Sequence, residues 1–494
     1  DKGINYYNSK SHKGNAPDLG AYEYGKPKWI PGATLKITNL LYEPSPDSEF
    51  ETVEQNPWVE YSYTFLWFAL LVYILKKWTF IQSTGIKTQT IYLLFGVKVL
   101  FGFALFWVYN YYYLNTNTAD IFKYFEDAKV LKHYIYNDSP IDYLKFIFGF
   151  HIDTPATQEA ILHTKHWVKL VEINALNDNQ TIIRIHALLL FITNGYFHIH
   201  TLIFCFISFI GCIFLFKTIK ALFPLENGKI IVGLFLIPSL LFWSSGVLKE
   251  SILIFGIGLF VYHWWKVIYK QGKYLLSIPL IIGSLYLIMI LKSYVIIAMI
   301  PSIISWYLIH RTKTKFYLPI FLIINAAYVI FLFKSHDFLP SFNFMEHLMF
   351  KQNDFISVAT EMHAQSKIEL PILDGTYSSL ITNIPNAIYN VFCQPEAPRI
   401  RNALMLFSFL ENLFVIGLIG LMILFFKKPS KEQRLFIWFC FFYILLLSIL
   451  IGWVVPISGA IVRYKIPFIP FLIVCVLVCT DFQKIKHVFK IASR

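Results

Sequence analysis

Charge is scarce in this chain. Of its 494 residues only 15% are Asp, Glu, Lys or Arg, whereas 56% are hydrophobic and 18% aromatic. Soluble globular domains carry roughly a quarter charged residues, and the mean hydropathy here is +0.55, so an ordinary soluble fold is excluded. Cysteine is scarce too. The six are Cys205, Cys212, Cys393, Cys440, Cys475 and Cys479, five of them inside apolar runs, which leaves neither a disulfide framework nor a zinc-ligand spacing. The apolar runs are continuous rather than alternating, which argues against a β-barrel. No Gly-rich phosphate loop, HExxH or GxSxG is found, which argues against a nucleotide-hydrolysing pump. An initiator Met and a signal-peptide pattern are also lacking at Asp1, and the expectation is that the true N-terminus lies upstream or has been processed.

What the chain has is long apolar runs. They predict an all-α polytopic membrane protein with about eleven transmembrane helices: 59–75, 90–113, 197–216, 230–245, 252–269, 275–291, 294–309, 316–334, 404–426, 433–454 and 466–481. The net charge of +13 sits largely in short loops between these runs, which excludes nucleic acid as the natural partner. Lys76, Lys77 and Lys87 follow the first run, Lys217, Lys220 and Lys229 the third, and Lys266, Lys270 and Lys273 the fifth. Arg311, Lys313 and Lys315 follow the seventh, Lys427, Lys428, Lys431 and Arg434 the ninth, and Lys484, Lys486, Lys490 and Arg494 the last. Under the positive-inside rule these loops are cytoplasmic, with the N-terminus outside and the C-terminus inside.

That orientation divides the chain into an extracytoplasmic polar tail, residues 1–58, and a transmembrane domain, 59–494. Two long outer loops, 114–196 and 335–403, follow. The first repeats apolar residues at three- and four-residue spacing and is rich in Tyr and Phe, as expected of amphipathic helices lying along the outer interface.

Several charges stand where the rule predicts few. Lys249 and Glu250 in "FWSSGVLKES" fall in a very short outer turn, expected at the water interface. Lys292 lies between the sixth and seventh spans, Arg399 and Arg401 precede the ninth, and Arg463 and Lys465 precede the last. Charges at membrane depth are costly and mark a site by default. Cations from four turns suit the phosphate or pyrophosphate of a lipid-linked sugar, with Glu250 positioning Lys249 or the donor sugar. Asp120, Glu126 and Asp127 open the first outer loop. An interfacial carboxylate beside apolar walls can serve as a general base, and Asp120, nearest the membrane end, is the first candidate, with Asp127 second. "HTKH" (163–166) has a ligand-like i, i+3 spacing but no Cys or acid to complete it. Lys98 and Glu411, inside apolar runs, are the residues a transporter would use for coupling.

Three motifs carry a resemblance. "TADIFKYFEDA", "WSSGVLKESILIFG" and "VRYKIPFIPFLI" resemble, in order, the first-loop acid motif, the short-turn acid motif and the C-terminal "RY..P..P" element of the GT-C glycosyltransferases. The last is similar to the protein O-mannosyltransferase and aminoarabinose-transferase-like branch. The resemblance implies a hexosyltransferase-like enzyme of cell-envelope polysaccharide biosynthesis in a bacterial inner membrane. A polyprenyl-phosphate-linked sugar would be its donor and a glycan, lipid or protein its acceptor. It implies Asp120, Asp127 and Glu250 as catalytic residues, Lys249, Lys292, Arg399, Arg401, Arg463 and Lys465 as lipid-phosphate ligands, and in some members a divalent cation. The family's first loop often has paired acids, whereas Ala119 precedes Asp120 here. The segment "NIPNAIYNVFCQPEAPRIRNALMLFSFLEN" instead resembles a stretch of Bacteroidetes proteins associated with O-antigen polymerases, so a polymerase or ligase acting on lipid-pyrophosphate glycans stays open. So does a transporter or flippase. Within the tail, "APDLGAYEYGKPKWIPGA" resembles the closing segment of secreted right-handed β-helix proteins.

Overall fold

A computed structural model describes residues 56–112, 120–150, 152–168, 177–223, 225–340, 342–361 and 364–492. The tail expected over 1–58 lies outside them except for its last three residues. The described residues are helical with no strands beyond two isolated bridges, as an apolar chain must be when lipid offers its backbone no hydrogen bonds. Seven of their helices are long and apolar enough to cross a membrane, or eight if the bent pair Ser458–Tyr464 and Ile469–Cys479 forms one span. At 20 residues and about 1.5 Å per residue, even Lys249–Ile268 reaches roughly the 30 Å of a hydrocarbon core.

The count of eleven is not confirmed, for local reasons. The run predicted over 230–245 breaks into Asn227–Phe235 and Pro238–Trp243, because a residue before proline is driven out of the helical region. Tyr317–Phe333 is apolar but only 17 residues long. The predicted 275–291 and 294–309 are counted once among the seven, within Tyr274–Thr312, although the helix Ile278–Thr312 is interrupted at Lys292, whose φ of −152° and ψ of 84° are extended.

Contacts along Lys249–Ile268 show what happens at that interruption. Lys292 meets Glu250 at one end of the helix, and Ile288 lies against Gly256. Beyond Lys292, Tyr307 meets Trp264 and His310 meets Tyr269 at the other end. Residues 278–291 therefore run antiparallel to Lys249–Ile268 and residues 293–312 run parallel to it. The chain reverses at Lys292.

The chain divides into two compact units. The larger holds Leu66–Thr116 and His198–Arg494. At its centre is Phe197–Leu222, whose most apolar stretch is 89% buried. A Cβ on Gly258 would strike the carbonyl oxygen of Gly211, so this helix and Lys249–Ile268 touch backbone to backbone, the close approach that small residues permit between apolar helices. The basic loops meet at one end of this unit. Lys217 donates to Phe80 O and Ser83 Oγ, Asn227 to Gly85 O, and Lys229 lies over the Phe482 ring. Asp481 N donates to Phe425 O, and Phe436 packs on both Phe223 and Trp306. At the opposite end, segment 335–403 docks on the bundle rather than lying free: Gln352 donates to Trp453 O, and a Cβ on Gly452 would meet Ala387 O.

The smaller unit takes the described residues up to Phe65 and those between Asn117 and Phe197. Its helices start on strong local signals. Ser139 and Thr154 cap the helices that open at Pro140 and Pro155, and Asn177 caps Asp178–Thr193. Their apolar faces close on one another around Phe125, Tyr143, Phe146, Ile183 and Ala187, so the expected amphipathic helices build a core of their own. Tyr143 Oη donates to Ala187 O across it.

A reversal at Lys292 fixes sidedness. In a cysteine-free background, cysteines at the exposed positions Lys273 and Lys313 should react with an impermeant maleimide from the same side of the membrane, and one at exposed Arg401 from the other. Reaction of positions 273 and 313 from opposite sides would rule the reversal out.

Candidate anion-binding site

Three interruptions in apolar helices converge at the end of the larger unit remote from the basic loops. The first is the turn before Lys249. Lys249 and Glu250 were expected at the water interface; instead they are the first two residues of Lys249–Ile268 and are buried, Glu250 at 0% exposure. The second interruption is the reversal at Lys292. The third is the break after Ser458–Tyr464, where the chain bends by 70° before Ile469–Cys479, with Pro467 in the break and Pro470 opening the next helix.

One carboxylate oxygen joins all three. Glu250 Oε1 accepts from Lys292 Nζ at 2.6 Å and from Arg463 Nε at 2.7 Å. The expected partner was its sequence neighbour Lys249; these two come from 42 and 213 residues away. Lys292 Nζ also lies 4.4 Å from the centroid of the Tyr464 ring, and Tyr464 stacks on Tyr294, so the ammonium is held by charge below and an aromatic face above. Tyr294 and Tyr464 were not singled out from the sequence, although Tyr464 stands between Arg463 and Lys465 in a motif that was.

Lys292 and Arg463 share Glu250 Oε1, and Lys249 opens the same helix beside it, so three basic side chains gather with one acid among residues that are 16% exposed or less. The positive end of a 20-residue helix adds to it at Lys249. Basic side chains gathered at a helix N-terminus suit an anion, and Arg463, the most exposed of the three, is the side from which one would reach them.

The chain matches no protein-family model, no curated protein and no solved structure. The site therefore stands on its own geometry.

Not all the expected ligands join it. Lys465 turns away from Arg463 and donates to Asn412 Oδ1 at 2.6 Å. Arg399 is exposed and pairs with Glu396 on its own loop at 3.6 Å; Arg401 is exposed on the same loop. Lys98, buried, donates to Ser244 Oγ in the turn before Lys249, and Glu411 accepts from the Ser239 amide. Both mid-span charges thus hold the broken stretch 238–245 in place.

The acids of the first outer loop belong to the smaller unit. Asp120 opens the helix Asp120–Leu131, and its side chain lies outside the described residues. Asp127 accepts from the backbone amides of Lys165 and His166 at 2.9 and 2.8 Å, so its two oxygens anchor a loop. His163 stacks on Tyr134, and His151 lies outside the described residues. Among the described residues no group of three or more His, Cys, Asp or Glu could hold a metal ion.

Two outcomes follow. Replacing Glu250 with Leu leaves two buried cations without their shared carboxylate, which should destabilise the protein by about 3–5 kcal/mol; a thermal unfolding shift in detergent reads this, and an unchanged midpoint would mean the three breaks hold without the pair. Burial pushes the Asp127 carboxyl up to about 6, against the pull of the two amides. A raised pKa stabilises the fold fully below about pH 4, and that contribution is lost as pH rises through about 6. Protection from hydrogen exchange in 120–131, corrected for the intrinsic pH dependence, should weaken as pH rises across that window, and the trend should flatten in Asp127→Asn.

Proposed function

We propose that this protein is an integral-membrane glycosyltransferase that moves a sugar from a polyprenyl-phosphate donor to an acceptor at the periplasmic face of a bacterial inner membrane. Its N-terminus lies outside and its C-terminus in the cytoplasm. The observation that supports this reading is the convergence of Lys292 and Arg463 on Glu250, beside Lys249, at the end of the bundle away from the basic loops. A polyprenyl phosphate supplies what such a place asks for: an anionic head at the depth of a lipid headgroup and an apolar tail that stays in the bilayer.

The chemistry follows from the charges. The acceptor oxygen forms a bond to the anomeric carbon as the bond from that carbon to the phosphate oxygen breaks. Electrons and negative charge move onto the departing phosphate, where Lys249, Lys292 and Arg463 stabilise them. Glu250 touches the cations rather than the reacting atoms and is a positioning residue. The acceptor proton goes to a carboxylate. Asp120 is the candidate, since both Asp127 oxygens are committed to backbone amides.

A second reading is favoured by that same commitment and by Arg463. In a polymerase or ligase acting on lipid-pyrophosphate glycans the cations suffice and the first-loop acid is dispensable.

Mass spectrometry of lipid-linked and surface glycans from a deletion strain separates these. Under the transferase reading, Asp120→Asn and Arg463→Gln both fail to restore one sugar, and Arg463→Lys restores part of it. Under the polymerase reading, Asp120→Asn complements and Arg463→Gln shortens the glycan. Full restoration by Arg463→Gln, with normal protein levels, sinks both.

A further inference from the structure

The last apolar helix leads directly into another. Ile469–Cys479 ends at Thr480, whose backbone is extended, and the helix Phe482–Ala492 begins two residues on. Asp481 starts it, its Oδ1 accepting from the amides of Gln483 and Lys484 at 3.1 Å each. Backbone hydrogen bonds pin this corner to the end of another span. Lys427 N donates to Cys479 O at 2.7 Å, and Asp481 N donates to Phe425 O at 2.8 Å.

The pinned partner marks a depth. At the end of Ala403–Leu424 and just beyond it, Ile423, Leu424 and Phe426 are exposed, Leu424 at 76%, and the lysines that follow, Lys427 and Lys428, are exposed as well. In a chain that enters a membrane, apolar side chains bared at the end of a span are covered by lipid tails, and the lysines after them reach the headgroups. The helix Phe482–Ala492 therefore starts where hydrocarbon gives way to headgroups.

Its own residues, FQKIKHVFKIA, suit that layer. At about 100° per residue, Phe482, Ile485 and Val488 share one arc of roughly 120°, Lys484 and Lys486 flank it on opposite edges, and His487 lies on the far side. Phe482, under Lys229 Nζ at 4.7 Å, and Ile485 are half-buried, whereas Val488 is 48% exposed, so the apolar stripe runs on past what the bundle covers. Lys484, Lys486 and His487 are exposed, and the helix contains no acid to balance the lysines. An apolar stripe edged by lysines on an acid-free helix is complementary to a negatively charged lipid surface: the stripe sinks to the acyl boundary and the lysines reach phosphate.

We propose that Phe482–Ala492 lies in the headgroup layer of the leaflet on the side of the basic loops and is docked there by anionic phospholipid. Val488 enters the acyl boundary, and Lys484 and Lys486 take lipid phosphates on either side of it. Docking fixes the depth of Ile469–Cys479, whose other end is the bend that carries Arg463. None of the residues around Glu250 takes part, so the docking holds whatever reaction the protein performs.

An environment-sensitive fluorescent amino acid, placed at Val488 or at His487 of the full-length protein, reads the docking and leaves the native cysteines in place. Nanodiscs of phosphatidylcholine are compared with nanodiscs of phosphatidylcholine mixed with phosphatidylglycerol. In the mixed discs the probe at 488 should be quenched by nitroxide-labelled lipid and shielded from aqueous iodide, and the probe at 487 should behave the opposite way. A lysine near an anionic surface is worth about fivefold. The ratio of embedded to water-exposed helix should therefore fall several-fold in phosphatidylcholine alone, in the double variant Lys484→Gln, Lys486→Gln, and at high salt. The thermal midpoint of the double variant should match the wild type, because both lysines are exposed. Iodide reaching both positions in both lipids puts the helix in water. A probe at 488 shielded from both quenchers means that protein covers the stripe, in this chain or a second copy. Embedding that is equal in the two lipids, or unchanged in the double variant, removes the anionic headgroup from the account. Each of these three results overturns the docking.

Discussion

A single carboxylate oxygen, Glu250 Oε1, holds together the part of this protein in which regular structure stops. Helix starts, reversals and bends leave backbone and side-chain polar groups exposed to an apolar surrounding. Here three of them, at Leu248–Lys249, at Lys292 and at 464–468, are brought to one place, and the ion pairs at 2.6 and 2.7 Å fasten them. Every other feature of the candidate site depends on that junction. Tyr464 lies over Lys292 because Arg463 is anchored beside it, and Lys465 reaches Asn412 because the bend then directs it away.

The surrounding bundle makes such a junction affordable through its neighbours. Lys98 and Glu411, the two charges deepest in the apolar runs, tie down the stretch 238–245 that leads into Lys249. Cys205 Sγ and Ser251 Oγ contact backbone oxygens of the same turn, at Ser245 and Gly246. Close approaches of backbone at Gly211, Gly258 and Gly452 draw the flanking helices in. The buried charges Lys98, Glu411, Glu250 and Lys292 are thus each tied to a break in a helix or to the turn beside one. The smaller unit is stabilised differently, by capped helices and a conventional aromatic core.

Much of this was legible in the residues. The helical class follows from continuous apolar runs. The gathering of the basic loops at one end follows from their recurrence after alternate runs, and the contacts from Lys217 to Phe80 and from Asp481 to Phe425 bear that grouping out within the larger unit. Glu250, Lys292 and Arg463 stood out because each is a charge in a setting that disfavours one. The number of membrane-crossing helices was less legible. Apolar composition alone does not register that Pro238 breaks one run.

Residue order alone reveals the long apolar helices, the recurrence of basic loops and the charges that stand in apolar surroundings. Which partners those charges take is settled in three dimensions. Lys249 is the neighbour of Glu250 in sequence, yet the carboxylate takes Lys292 and Arg463; Arg463 and Lys465 are two residues apart, yet they serve different clusters; Arg399 and Arg401 share their chemistry, yet stay on an exposed loop. The physical reason is that an ion pair is formed by distance in space. That distance is set by where helices break and fold back, which depends on packing between segments hundreds of residues apart.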